Sequence, residues 1–348
     1  MLQPGENLHL TGLGSIMDSE KDMSSYNIAN ISADANVQEE GSPGGIYRSV
    51  EVMRIVWLST TFILGTLGNG LVIWVFGFKM KKTVNTIWFL NLAIVDFCFC
   101  LSLGFYIPVV ILNHWPFGQI PCKLTTCILD LNMAVSVFFL AVISFDRCLC
   151  VLYPIRSRSH RTLRLAVISS VMIWLLGLAV SSPSLVFTNV VHGGNISVCG
   201  STYGNGADGS NVHSPTRQKV MILTRFVSVF LIPFTIILVC YGLISFRVRR
   251  SSRPPGSART FKIIITVVLC FFFCWFPFHL MFLKEITGFN IKWPYGYIIS
   301  HMAICLAFFN SCLNPMVYVF VGQNFKNSLR KSIPFLLENT FREACDPP

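Results

Sequence analysis

Seven long apolar runs constrain this chain more than any other feature. A helix that crosses a bilayer needs roughly 20 mostly apolar residues. Ile55–Phe78, Leu165–Val191, Ile263–Leu283 and Trp293–Val321 meet that length without an Asp, Glu, Lys or Arg. Val84–Leu112 carries only Asp96, Leu124–Phe145 only Asp130, and Val220–Phe246 only Arg225. Strands of a membrane barrel are shorter, about ten residues, and alternate apolar with polar. The pattern therefore predicts an all-α membrane protein, a seven-helix transmembrane bundle. Only 12% of the 348 residues are charged, against about 25% in a soluble domain. This excludes a disordered chain, a secreted disulfide scaffold and most cytosolic enzymes. No internal repeat of the kind common in transporters stands out.

The formal charge of +11 suggests a nucleic-acid binder until it is sorted by loop. Basic residues mark cytoplasmic loops. Alternate connections hold Lys79, Lys81 and Lys82; then Arg156, Arg158, Arg161 and Arg164; then Arg247, Arg249, Arg250, Arg253, Arg259 and Lys262. With Arg147 and the tail residues Lys326, Arg330, Lys331 and Arg342, one side collects 18 of the 27 bases but four acids. That side carries +14, the other −2 and the membrane interior −1. The N-terminus is expected outside and the C-terminus inside. The positive charge then serves lipid headgroups and a cytoplasmic partner, with no nucleic acid implied.

Three regions follow: an extracellular disordered tail over 1–50, the bundle over 51–322, and an amphipathic eighth helix with a short cytoplasmic tail over 323–348. The polar, acidic start has no run resembling a signal peptide, so the first span is expected to direct insertion. Met17 and Met23 are alternative start sites. Asn30 and Asn195 begin Asn-x-Ser glycosylation sequons on the expected outer face. Of the 13 Cys, only Cys122 and Cys199 fall at or beyond that face. Two thiols in an oxidising compartment suggest one disulfide; two free thiols are the alternative.

Short motifs then appear in order, each on its own span. They are Gly68-Asn69, Asn91-Leu92-Ala93-Ile94-Val95-Asp96, Asp146-Arg147-Cys148, Trp174, Pro233 with Tyr241, Cys274-Trp275-Phe276-Pro277, and Asn314-Pro315-Met316-Val317-Tyr318. Together they closely resemble the rhodopsin-like G-protein-coupled receptors over residues 50–338. Finer motifs resemble the formyl peptide receptors: His114-Trp115-Pro116-Phe117-Gly118, Asp146-Arg147-Cys148-Leu149-Cys150, His160-Arg161-Thr162 and Ala307-Phe308-Phe309-Asn310-Ser311-Cys312. The chemerin and anaphylatoxin receptors share looser versions.

The resemblance implies roles. Asp96, Ser136, Asn310 and Asn314 match the wider family's sodium pocket, where a bound ion favours the inactive state. Hard cations prefer oxygen ligands; a hydrogen-bonded cluster without an ion is the alternative. Asp146 pairs with Arg147 at rest, and Arg147 later meets Tyr241 and a G protein. Tyr318 approaches the same space. Pro277 weakens the sixth helix, and Trp275 before it senses ligand. Asp130 and Arg225 match the Asp and Arg that formyl peptide receptors use for the formyl-methionine end. A forked guanidinium suits an amide or carboxylate oxygen; a structural ion pair is the alternative. Phe105, Tyr106, Phe278, Met281 and Phe282 are expected to add apolar lining or simply to pack.

Departures limit that reading. Met221 stands where the family has a second Arg, and Pro108 to Leu112 is apolar where it has a basic pair. The expected ligand is a peptide, N-formylated or not, or a lipid mediator. The expected partner is an inhibitory-class G protein. Beyond Gln323 to Leu337 the tail offers only Thr340 as a hydroxyl, which predicts weak arrestin recruitment. No enzyme is expected, because the seven His form no motif such as His-Glu-x-x-His. No cofactor is expected beyond the sodium ion. A ligand-capturing receptor that signals weakly is the alternative function, and a transporter the remote one.

Overall fold

The computed structural model describes residues 43–193, 196–201, 215–250, 258–287, 291–292 and 294–321. Seven helices are long and apolar enough to cross a membrane: Gly44–Lys79, Val84–Leu112, Gln119–Leu152, Leu163–Phe187, Thr216–Arg247, Ile264–Met281 and Tyr295–Val317. These are the seven predicted spans with shifted boundaries, the third running from Gln119 to Leu152 rather than Leu124 to Phe145, and two of the shifts change the reading. The first helix begins at Pro43, inside the segment assigned to the tail. The fourth ends at Phe187 rather than Val191, because Thr188–Gly193 forms strand β1. There β-branched residues pair antiparallel with β2, Ile196–Ser201. Asn30, Asn195 and the expected helix over 323–337 lie outside the described residues.

Local chemistry sets the helix ends. Thr83 caps the second span through a reciprocal pair: its hydroxyl accepts from Thr86 N at 3.2 Å, and its own N–H donates to Thr86 Oγ1 at 2.7 Å. Asn113 closes that span in the left-handed conformation, φ 53°. The Trp-Pro-Phe-Gly motif forms the next turn. Trp115 Nε1 donates to Gly118 O at 2.8 Å, and Gly118 at φ 75° launches the third span. Trp115 N also donates to Ser197 O at 2.7 Å, fixing the turn to the hairpin. The Cys122–Cys199 disulfide, with Cα atoms 5.7 Å apart, ties the hairpin to the third span.

The third span is the axis of the bundle. In its apolar stretch 72% is buried, against 22% in that of the fourth. Polar clips join the other helices to one another. Asn69 Nδ2 donates to Ser311 O at 2.8 Å between the first and seventh spans. Trp174 Nε1 donates to Asn91 Oδ1 at 2.8 Å between the fourth and second. Buried polar groups in a bundle need such partners. Gly177 lets the fourth span approach the third: a Cβ there would lie 2.4 Å from a Val135 methyl. In the fifth span, α-helix Pro215–Arg225 passes into π-helix Phe226–Leu231 before resuming at Ile232. Such bulges recur at functional sites, and this one begins beside Arg225.

Candidate ligand site and signalling core

The disulfide end of the bundle encloses a cavity of about 340 Å³ under β2, between the third, fourth, fifth, sixth and seventh spans. That is within the range of small-ligand pockets, about 300–1,000 Å³. Asp130 lies on its wall, 3% exposed. Its Oδ2 accepts from Arg225 Nη2 and from Ser184 Oγ. Arg225 also reaches Ser184 Oγ at 3.5 Å. The Arg225 side chain is 28% exposed, so its charge is compensated but not sealed. Leu129, Val180, Met221, Phe226, Ile304 and Phe308 supply apolar lining, and Phe278 and His279 belong to the same surface.

The sequence-predicted ligand residues separate into groups here. Asp130, Arg225 and Phe278 share the cavity. Trp275 is buried beneath it and meets it through Phe278, ring centroids 5.4 Å apart, and His279, 6.5 Å apart. Phe105 lies elsewhere, packed edge-on against Phe117 at 5.1 Å. Tyr106 packs against Trp115 and Phe308. Met281 accepts a 3.5 Å hydrogen bond on sulfur from Ser300 and is not on the cavity wall. The side chain of Phe282 lies outside the described residues.

Sequence reasoning missed Ser184 and His279. A helical Ser ordinarily bonds its own backbone, so Ser184 gave no signal. His279 did give one: it is the one imidazole in the sixth apolar run and stands four residues after Trp275, on the same helical face.

Deeper in the bundle Asp96 is fully buried. Asn132 Nδ2 donates to its Oδ1 at 2.7 Å, Ser311 Oγ to its Oδ1 at 2.9 Å, and Asn314 Nδ2 to its Oδ2 at 2.7 Å. Asn132 and Ser311 are additions to the expected set. Ser136 and Asn310 sit one helical turn from Asn132 and Asn314. Ser136 Oγ and Asn310 Nδ2 are buried with no hydrogen-bond partner among the described residues. Ser136 Oγ is an unsatisfied oxygen, a ligand type that with the uncompensated Asp96 carboxylate suits a small hard cation, whereas Asn310 Nδ2 is an N–H donor and does not.

At the basic end Asp146 pairs with Arg147. Arg161, just after the short helix Pro154–His160 that follows the third span, holds the same carboxylate, Nε to Oδ1 at 3.0 Å. Asn85 Oδ1 accepts from Arg147 at 2.9 Å and from Arg161 at 2.7 Å. Tyr241 packs against the neighbouring cluster of Cys148, Cys240 and Ile244. Pro277 sits within the sixth helix, Ala258–Thr287. Tyr318 lies on the seventh helix, with its side chain outside the described residues.

A charged cavity at one end of seven spans, over an Asp96 core and an Asp-Arg pair at the other end, is the layout of a transmembrane receptor. The sequence pattern of the 7 transmembrane receptor (rhodopsin family) matches residues 68–318. Chemerin-like receptor 1 of Sus scrofa is 43% identical over 291 residues, 80% of this chain and 79% of that protein. The C3a anaphylatoxin chemotactic receptor of Oncorhynchus mykiss is 41% identical over 298 residues, 85% of this chain and 81% of that one. N-formyl peptide receptor 2 of Homo sapiens is 39% identical over 332 residues, 91% of this chain and 93% of that one. The chain belongs to the rhodopsin family of seven-transmembrane receptors, among its chemoattractant-type members, and is a receptor rather than an enzyme. Identity does not set the chemerin-like and C3a receptors further away than the formyl peptide receptor, as the finer motifs had implied.

Proposed function

We propose that this multi-pass protein is a plasma-membrane chemoattractant receptor that binds the end of a peptide in the disulfide-end cavity. It passes the signal to an inhibitory-class G protein, leading to calcium mobilisation and chemotaxis. The N-terminus and the hairpin are outside, the basic loops and C-terminus inside, and Asn30 and Asn195 carry glycans. One observation carries the ligand reading: two opposite charges, Asp130 and Arg225, stand together on the wall of an apolar cavity. Charged side chains at membrane depth are costly and mark functional pathways. A formyl or other amide oxygen can share the forked donors of Arg225. The test is cyclic AMP and calcium in cells expressing the chain, given N-formylated and unformylated versions of one peptide. A preference for the formylated version is expected; equal potency would reduce the pair to a structural one.

A second reading has its own support. Met221 adds apolar surface to the cavity instead of a second cation, and Pro108 to Leu112 is apolar. An unformylated peptide, of the chemerin or complement kind, or a lipid mediator suits such a lining. Capture of ligand with weak signalling is a third outcome of the same assay, seen as binding without a cyclic AMP response.

Agonist binding near Phe278 and His279 bears on Trp275, and Pro277 gives the sixth helix its flexible point. Release of Asp146 frees Arg147 for the G protein, with Tyr241 and Tyr318 alongside. Asp96, Ser136, Asn310 and Asn314 would hold a sodium ion, which supplies the positive charge that Asp96 lacks.

A further inference from the structure

A two-stranded hairpin has two edges, and a strand edge without a partner is a template for pairing with another chain. In an antiparallel pair the N–H and C=O of one residue point the same way. Successive residues alternate between facing the partner strand and facing outward. Three hydrogen bonds fix that parity here. Trp115 N donates to Ser197 O, Val190 N to Gln119 Oε1, and Gln119 Nε2 to Thr188 O, so Ser197, Val190 and Thr188 face outward. The register pairs Val190 with Cys199 and Thr188 with Ser201, so Cys199 and Ser201 face outward as well.

The two edges differ in their cover. On β1, Gln119 takes both outward groups, Val190 N at 2.8 Å and Thr188 O at 3.3 Å. On β2, the Trp115 turn covers Ser197 alone. The outward N–H and C=O of Cys199 and Ser201 form no hydrogen bond among the described residues. Cys199 is 7% exposed, with its side chain spent in the disulfide, and Ser201 is half-buried. Both border the cavity, together with Gly200 between them. The uncovered stretch of edge therefore adjoins the wall that carries Asp130 and Arg225. Such an edge offers donors and acceptors at the two-residue repeat of a strand. An extended peptide matches that repeat along its length, and a lipid chain does not.

We propose that the outward edge of β2 at Cys199 and Ser201 is a strand-addition surface: the part of a peptide ligand that follows its inserted end lies extended there and exchanges backbone hydrogen bonds with it. The cavity reads the end of the ligand, and β2 reads its main chain. This rests on the peptide reading above and extends it beyond the inserted end. Main-chain bonds ignore side chains, so the edge accepts peptides of varied sequence.

The test uses a short N-formylated peptide and a set of analogues, each N-methylated at one successive backbone amide, with calcium as the readout. Only alternate residues of an added strand turn their N–H toward the edge. Alternate analogues should therefore lose about tenfold or more in potency, and those between them little. Ser201→Pro tests the receptor side. The Ser201 N–H plays no part in the β1–β2 ladder, and proline is tolerated at such edge positions. Surface level is followed by an N-terminal epitope. Ser201→Pro should weaken the unmodified peptide about tenfold and shrink the penalty of N-methylation opposite it. Ser201→Ala keeps the N–H and should match wild type. If wild type responds to the peptide and the analogues show no alternation, strand addition is overturned while the peptide reading stands. Alternation and potency left unchanged by Ser201→Pro overturn the placement on β2. A wild type that does not respond to the unmodified peptide overturns both.

Discussion

Asp96 and Asp130 are carboxylates buried in adjacent spans, yet the protein holds them differently. Asp130 accepts from a guanidinium and a hydroxyl and opens onto a cavity. Asp96 accepts three neutral side-chain hydrogen bonds, and no cation hydrogen-bonds to it among the described residues. Electrostatics separates their roles. A compensated charge on a cavity wall can meet a neutral ligand without a new unpaired charge. An uncompensated one in a closed core attracts a small cation or a proton. On the proposed function, the disulfide end would carry ligand choice, and the core a state-dependent ion or polar lock.

The sharpest way to break this comparison is to unpair the outer charge. Arg225→Met leaves Asp130 buried alone, which costs about 3 kcal/mol, at the lower end for buried pairs because Arg225 is partly exposed. Agonist potency should fall about a hundredfold, and thermal unfolding of the purified receptor should move to lower temperature. Cutting the disulfide with Cys122→Ser and Cys199→Ser together releases a hairpin held across 77 residues. Loop closure of that size is worth up to about 4 kcal/mol. Part remains through Trp115 and Gln119, which also hold the hairpin. Surface level and agonist affinity should both drop.

The core predictions are smaller. Asp96→Asn should abolish the sodium dependence of agonist affinity while leaving the cavity intact, a change of about tenfold or less in high salt. Radioligand competition with sodium or a larger organic cation checks it; unchanged sodium sensitivity would remove the ion from the account. Arg161→Ala removes one of two arginines on Asp146 and should raise basal signalling by a few-fold, since a partly exposed pair contributes about 1 kcal/mol or less. Unchanged basal activity would leave Arg147 as the sole restraint.

The spans were legible because a bilayer forces length and apolarity on any helix that crosses it. The early start at Pro43 was not, because Arg48, Glu51 and Arg54 break the apolar run there. The structure pairs Arg54 with Glu51 at 2.6 Å and buries both, which lets the helix extend. The strand after Phe187 was hidden by the same apolarity that marks a span. Asp130, Arg225 and Asp96 stood out as rare charges. Asn132, Ser311 and Ser184 did not, since neutral hydroxyls and amides in helices are ordinary until the fold turns them toward a carboxylate. Phe105 and Met281 were suggested by position along their spans, but which face of a helix meets a cavity is a tertiary property.

The central claim is that Asp130 and Arg225 read the ligand rather than merely neutralise each other. The double variant Asp130→Asn, Arg225→Met tests it most directly. Removing both charges leaves none unpaired, so the receptor should still reach the surface and unfold near the wild-type temperature. Response to the N-formylated peptide, measured as cyclic AMP lowering, should weaken about a hundredfold. A double variant that folds and keeps wild-type potency would contradict the account and leave the pair a structural one.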